Sequence, residues 1–136
     1  INDIVTSKGY KVLRQVIVPD EESELIREMK YMADDLKADL ILTTGGTGFS
    51  KRDMTPEASM KVFTRQAPGI AEAIRYYSLS ITSRAMLSRA VSGIRNDCLI
   101  INLPGSPKAV KEALEYAIDS IFQSFLNCLW TRYINW

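Results

Sequence analysis

Apolar positions along this chain switch between two spacings, and the switches mark its elements. In residues 20–38 the side chains Leu25, Ile26, Met29, Met32, Ala33 and Leu36 recur every three or four positions behind Asp20, Glu21 and Glu22, which predicts an amphipathic helix with a polar outer face. Residues 39–43 are nearly all apolar, the pattern of a short strand covered on both faces. Helical spacing returns over residues 55–66 and again over 68–80, where Ile70, Ala73, Ile74 and Tyr77 are expected to face the core. Residues 90–95 and 98–103 read as two strands around a turn at Arg95, Asn96 and Asp97, with Leu99 to Ile101 as a buried run. The last helix covers residues 107–129, and Val110, Ala113, Leu114, Ala117, Ile118, Ile121, Phe122, Phe125, Leu126 and Leu129 give it a stripe wide enough for a core helix or a subunit interface. At the other end, residues 1–8 read as a helix closed by Gly9 and residues 10–18 as a strand ended by Pro19. Residues 81–90 fit neither period. Alternating strands and helices predict an open α/β sheet, whose ligands bind beyond the carboxyl ends of the strands.

Two strand-to-helix junctions at that edge carry the chemistry. After the strand at 39–43 comes Thr44-Gly-Gly-Thr-Gly-Phe-Ser-Lys-Arg-Asp-Met-Thr-Pro-Glu-Ala58. Gly45, Gly46 and Gly48 lack a Cβ, so backbone N–H groups can approach a bound anion closely. Thr43, Thr44, Thr47 and Ser50 add hydroxyls, Lys51 and Arg52 add positive charge, and Thr55 with Pro56 is expected to cap the next helix. Asp53 is a poor direct ligand for phosphate; beside one it holds Mg²⁺ or orients a nucleophile, and otherwise it is a loop cap. The glycine spacing matches neither a dinucleotide fingerprint nor a P-loop. The second junction is Pro104-Gly105-Ser106-Pro107-Lys108, a tight turn with a capping serine. Two such junctions suit a ligand with more than one anionic group.

Composition narrows the chemistry further. The chain has 136 residues, enough for one domain, with 46% hydrophobic and 24% charged residues and a formal charge of +1. Nucleic acid is set aside as a partner because the basic excess it demands is missing. No apolar run has the length of a membrane span, so no membrane partner and a cytoplasmic location are expected. Cys98 and Cys128 have no ligand spacing and read as reduced core residues. With no histidine, imidazole acid-base chemistry and histidine metal sites are excluded. Catalysis would fall to carboxylates, cations, hydroxyls, backbone amides or a bound metal.

The glycine motif ending at Ala58, Met86-Leu-Ser-Arg-Ala-Val-Ser-Gly-Ile-Arg95, and Ile101-Asn-Leu-Pro-Gly-Ser-Pro-Lys-Ala109 occur in that order. Together they resemble the molybdopterin adenylyltransferases of molybdenum-cofactor biosynthesis, a family that includes the bacterial MogA type and the G domain of gephyrin. The resemblance runs from Gly9 to about Leu126. It implies a three-layer, mostly parallel α/β sheet with helices on both faces, a homotrimer, and adenylylation of the terminal phosphate of molybdopterin by ATP and Mg²⁺, with pyrophosphate released. A separate molybdenum-inserting protein would take the product. The family's two acidic positions fall on Asp20 and Asp53, both implied as catalytic and Mg²⁺-binding. Without the resemblance, Asp20 is a helix cap. Ligand contacts are implied at Thr44, Gly45, Gly46, Thr47, Gly48, Ser88, Pro104, Gly105 and Ser106. Ser88 read alone is a solvated loop serine, and Arg89 and Arg95 are either surface cations or ligand contacts.

The resemblance also has departures. Its members begin with a strand and loop not found here, which suggests one domain over residues 1–136 that is incomplete at its amino end. Asp97 stands where a glycine is frequent, and the tail at 130–136 matches no expectation. An inactive molybdopterin-binding relative is the alternative. The molybdenum-inserting proteins and the competence-damage family share the fold but differ in the glycine motif, where Thr47 and Arg52 argue against the latter.

Overall fold

Strand β4 (Cys98–Leu103) organises the molecule, because all of its residues are buried and they alternate between two cores. Leu99, Ile101 and Leu103 face one way and meet Val5 of α1 (Asn2–Ser7), Ile74 of α4 (Pro68–Leu79), and Val110, Leu114 and Ile118 of α5 (Pro107–Tyr133). Cys98 and Ile100 face the other way, towards Met29 of α2 (Glu22–Lys30) and Ala58 and Val62 of α3 (Thr55–Val62). Period-two alternation in a central strand thus produces a sheet with helices on both faces. Ile100, Ile101, Leu103, Leu114 and Ile118 are fully buried, each contributing about 1.5–3 kcal/mol of hydrophobic stabilisation. The computed structural model describes residues 1–133, with side chains described through Ser124. The predicted stripe positions Phe125, Leu126 and Leu129, the side chain of Cys128, and the tail at 130–136 lie outside those described side chains.

The sheet order is β1-β4-β3-β2, with β1 (Leu40–Thr44), β3 (Ser92–Arg95) and β2 (Arg65–Gln66). β1 and β4 are parallel, from Leu40 opposite Leu99 to Thr44 opposite Leu103, so both chemistry-bearing junctions leave the same edge. The other two pairings are antiparallel, and β3 and β4 form a hairpin whose turn at Asn96 takes φ 53°. The α/β class with helices on both faces holds; the described sheet is mixed.

Several expected elements take other forms. Residues 10–18 form no strand. Among the described residues, the backbone bond there joins Tyr10 N–H to the Val5 carbonyl at 3.0 Å, and Ile17 is 97% exposed. A strand pattern needs a neighbour to complete its ladder, and no described strand pairs with this one. A cavity of about 710 Å³, lined in part by Val12, Leu13, Leu40 and Leu42, separates it from β1. Arg14 instead holds the segment to Glu28 and lies 5.4 Å over the Tyr31 ring. The helix expected over 20–38 is α2 followed by a wide π turn, Tyr31–Asp35, and a left-handed Lys37 at φ 56°. On α4 Ile74 faces the core as expected, but its second buried residue is Ala71, and Ala73 is exposed. The apolar stripe of α5 from Val110 to Ile121 is buried inside the chain, so that part is a core helix. The unassigned residues contain a 3₁₀ turn, Ser83–Leu87.

α3 stops at Val62, short of the expected 66, because Phe63 turns extended and Thr64 N–H joins the sheet through the Ile94 carbonyl at 2.8 Å. The Phe63 ring then lies so close to Gly93 that a Cβ there would sit 2.4 Å from it. Gly93→Ala is therefore expected to destabilise the fold by about 1–3 kcal/mol, read as a lower urea midpoint with an unchanged slope.

Beside this junction, Arg95 Nη2 donates to Asp34 Oδ2 at 2.7 Å, Arg95 Nε to Asp34 Oδ1 at 2.9 Å, and Nη1 to the Val62 carbonyl at 3.0 Å. Arg95 is thus a structural tie between β3, α3 and the π turn. The hydrogen bond from Arg95 is the main cause that holds the Asp34 carboxyl below its ordinary pKa, against some desolvation and with help from nearby positive charge. A depressed carboxyl stabilises fully above the unfolded value of about 3.9 and loses that contribution as pH falls through the folded one. The stability difference between the wild type and Asp34→Asn is expected to be constant near neutrality and to shrink below about pH 4, as followed by urea titration at pH 7 and pH 3.

Candidate functional site

β1 ends at Thr44, which is exposed, and the chain turns at once through Gly45 at φ 82° and Gly46 at φ 65°. Both values lie in the left-handed region that glycine tolerates without strain. Gly46 has a second constraint: a Cβ would sit 2.2 Å from Thr55 Oγ1. Thr55 N–H also donates to the Gly46 carbonyl at 3.2 Å, so the start of α3 is closed onto the loop. Thr55 is accordingly the first residue of α3 and not its cap; Met54 holds the cap position, with no side-chain capping bond.

Gly48 does not use positive φ. It is needed because a Cβ there would come within 2.9 Å of Asp53 Oδ2. Asp53 in turn accepts the Ser50 N–H at 3.0 Å through that oxygen, and its own N–H donates to the Ser50 carbonyl at 3.0 Å. The carboxylate is therefore fixed against the glycine loop, with Oδ1 taking no hydrogen bond from the described residues. Lys51 and Arg52 are exposed and form no described ion pair, which leaves both charges available. Phe49 is 71% exposed between them and Gly48. Thr47, by contrast, is buried, and its carbonyl accepts the Arg89 N–H at 2.9 Å.

The second junction meets the first. A Cβ on Gly105 would lie 3.4 Å from the Gly45 Cα, so the two turns are in van der Waals contact. Pro104 is half-buried, and Gly105 and Ser106 are exposed. Ser106 Oγ accepts the Ala109 N–H at 3.2 Å, the capping bond the sequence predicts for α5. Its hydroxyl proton remains free to donate outward.

Beneath both turns lies a buried amide that sequence reasoning missed. Asn102, 1% exposed, donates from Nδ2 to Thr43 Oγ1 and to Ser59 Oγ, each at 2.9 Å, and its Oδ1 accepts the Val91 N–H at 3.2 Å. Its backbone N–H also meets the Val91 carbonyl at 3.0 Å. β1, β4, α3 and the segment after Ser88 are thereby locked together. The signal was a lone polar residue inside an apolar run, since a buried amide must find partners.

Ser88 is half-buried, with its Oγ accepting the Ala90 N–H at 3.3 Å. Arg89 turns back onto the glycine loop and bonds Gly48, Asp53 and Glu57. Burial would raise the Glu57 carboxyl, but the bond from Arg89, its own N–H and the Arg89 charge outweigh it, so the group lies below its ordinary pKa. The structure thus decides Arg89 and Arg95: both are committed to protein partners. Asp20 is exposed ahead of α2 and makes no described hydrogen bond or ion pair with the loops. It does lie towards the same edge, because the far end of α2 and its π turn is tied at the opposite edge by Asp34 and Arg95. No group of three or more acidic or cysteine side chains that could hold a metal gathers among the described residues. Cys98 is inert in this setting, its thiol pushed up to about 12, chiefly by burial. No helix among the described residues is long and apolar enough to cross a membrane.

An open α/β domain with two glycine-bearing strand-to-helix junctions converging at one edge has the layout of a phosphate-ligand domain. The chain belongs to the molybdopterin-binding family, since residues 1–123 match the family described as "Probable molybdopterin binding domain". It is 48% identical over 103 residues to the molybdopterin adenylyltransferase of Haemophilus influenzae, covering 76% of this chain and 52% of that protein. The enzyme of the same name from Helicobacter pylori is 44% identical over 117 residues, covering 81% of this chain and 66% of the relative. The chain thus spans between half and two thirds of these curated relatives. Among solved structures, the molybdopterin biosynthesis enzyme MoaB from Thermus thermophilus superposes with a TM-score of 0.81 at 42% identity, over 87% of this chain and 74% of that one.

Proposed function

We propose that this chain forms the catalytic site of a molybdopterin adenylyltransferase. The observation that carries the reading is the contact between the turns at Gly45 and Gly105, which brings two sets of helix-start and loop amides to one place. The names of the relatives support molybdopterin and ATP as the polyanionic substrates. In the reaction an oxygen of the molybdopterin terminal phosphate bonds to the α-phosphorus of ATP; the bond from that phosphorus to the bridging oxygen breaks, and pyrophosphate leaves.

Transfer between such charged groups depends on alignment and neutralisation more than on proton shuttling. The absence of histidine is no obstacle. Amides of Gly45 to Gly48, the Ser106 hydroxyl and the positive end of α5 bind phosphate oxygens, and Lys51 and Arg52 supply charge. The fixed Asp53 carboxylate with its open Oδ1 would hold a magnesium ion carried by the nucleotide, since that ion is usually held by one or two carboxylates together with substrate phosphates. There it would neutralise phosphate charge. Asp20 is the second acidic candidate at this edge, and Thr44, Ser88 and Pro104 line the ligand's approach. A homotrimer, a cytoplasmic location and a downstream molybdenum-inserting protein accompany this reading on the strength of the family resemblance alone.

The test is incubation of the full chain with Mg-ATP and molybdopterin. Pyrophosphate release matched by adenylylated product in the mass spectrum is expected. Saturable pterin binding without pyrophosphate would identify the inactive relative instead.

A further inference from the structure

The side chain of Arg89 closes the glycine loop from outside its own segment. Nε donates to the Gly48 carbonyl at 2.7 Å, one terminal nitrogen donates to the Asp53 carbonyl at 2.5 Å, and the other pairs with the Glu57 carboxylate. Its own N–H holds the Thr47 carbonyl. One residue thus ties together the entry to the loop, its exit, and the first turn of α3.

We infer that Arg89 is a positioning residue that sets the shape of the 48–53 loop and, through it, the aim of the Asp53 carboxylate. The inference rests on the adenylyl-transfer reading and assigns a role that reading leaves out. A guanidinium is planar and presents its donors in a fixed fork, so three acceptors held by its three nitrogens are constrained relative to one another. Asp53 depends on this frame from both sides. Its Oδ2 packs where a Gly48 Cβ would be, and its main chain hangs from the same guanidinium that holds Gly48. Glu57 anchors the fork as an ionised partner; its Oε2 is buried without a hydrogen-bond partner, so the carboxylate is committed to Arg89 through Oε1. With every nitrogen engaged, Arg89 orders the loop while Lys51 and Arg52 stay free to meet substrate.

A lysine retains the charge but concentrates it on one nitrogen, which cannot span the three acceptors. In Arg89→Lys, kcat for pyrophosphate release is expected to fall about 30- to 100-fold, the cost of a misplacement near 1 Å, while KM for Mg-ATP moves less than about threefold. In an Asp53→Asn background the same change is expected to cost less than about threefold, because the group it aims is already gone. Glu57→Gln, which leaves Arg89 in place but loosens its anchor, is expected to shift kcat the same way by a smaller factor. Equal losses in both Asp53 backgrounds, or an unchanged kcat in Arg89→Lys, would overturn the role.

If the wild type releases no pyrophosphate, it is the enzymatic reading that fails, and amide exchange then tests Arg89 on its own. Amides of Ser50 and Asp53 are expected to exchange about tenfold faster in Arg89→Lys, with those of β4 unchanged. Unchanged loop exchange would remove the clamp.

Discussion

Asp53→Asn is expected to lower adenylylation turnover by about 100- to 1,000-fold while moving the melting temperature by less than about 3 °C. The fold has little reason to notice. An asparagine oxygen can accept the Ser50 N–H as Oδ2 does, the volume is nearly the same, and the bond from Arg89 goes to the Asp53 carbonyl, which remains. What disappears is a negative charge fixed beside the loop amides, where a nucleotide-borne magnesium would meet it. The magnesium dependence of the residual rate is expected to shift to higher concentration, which separates loss of a metal partner from loss of nucleotide binding. Gly48→Ala gives a second view of the same carboxylate: the new Cβ would stand 2.9 Å from Oδ2, and the side chain must swing aside. A partial loss of turnover with near-native stability is expected there, since the flexible end of a side chain yields more readily than backbone. Wild-type turnover in Asp53→Asn would sink the assignment.

Elements whose residues satisfy themselves were legible in the sequence. β4 is apolar apart from Asn102 and is buried over the bounds its pattern predicts; the junction Pro104 to Pro107 announces its own turn, cap and helix start. The stretch at 10–18 has an equally good strand pattern but cannot make a ladder alone, and the described chain gives it no neighbour. α3 ended early for a tertiary reason, the recruitment of Thr64 and Arg65 to the Ile94 edge, which no local propensity contains.

The site divides along the same line. Gly45 and Gly46 were readable because positive φ is a local demand, whereas the need for Gly48 comes from a carboxylate folded back on it. Arg89 lies 41 positions from Gly48 and looked like any surface cation; only the fold places its fork on the loop. Asp20 shows the converse limit. Resemblance named it, yet the described contacts do not join it to Asp53, so Asp20→Asn is the more informative of the two acidic variants for deciding whether one carboxylate or two meet the metal.

Asn102→Leu is expected to cost about 2–4 kcal/mol of stability, the largest effect among the substitutions considered for the fold. Leucine fills similar space, so the penalty comes from polar groups left behind and not from a void. The Val91 N–H loses its acceptor in a buried strand junction; Thr43 and Ser59 lose a donor, though Ser59 Oγ keeps a weak contact to the Met29 sulfur at 3.7 Å. A urea titration is expected to show the midpoint falling with the slope preserved. Asn102→Asp isolates the electrostatic part. Its carboxylate keeps an acceptor for Val91 but faces two hydroxyls with no cation among the side chains the amide touches, so burial raises its folded pKa. The sign then runs opposite to Asp34: a raised carboxyl leaves stability intact below the unfolded value of about 3.9 and removes it as pH climbs. Asn102→Asp is therefore expected to be most nearly native in acid and weakest at neutral pH, while Asn102→Leu carries a pH-independent loss. An Asn102→Leu midpoint equal to the wild type would mean that the amide beneath the two turns only fills space, and that the convergence of Gly45 and Gly105 is held by the apolar packing of β4 alone.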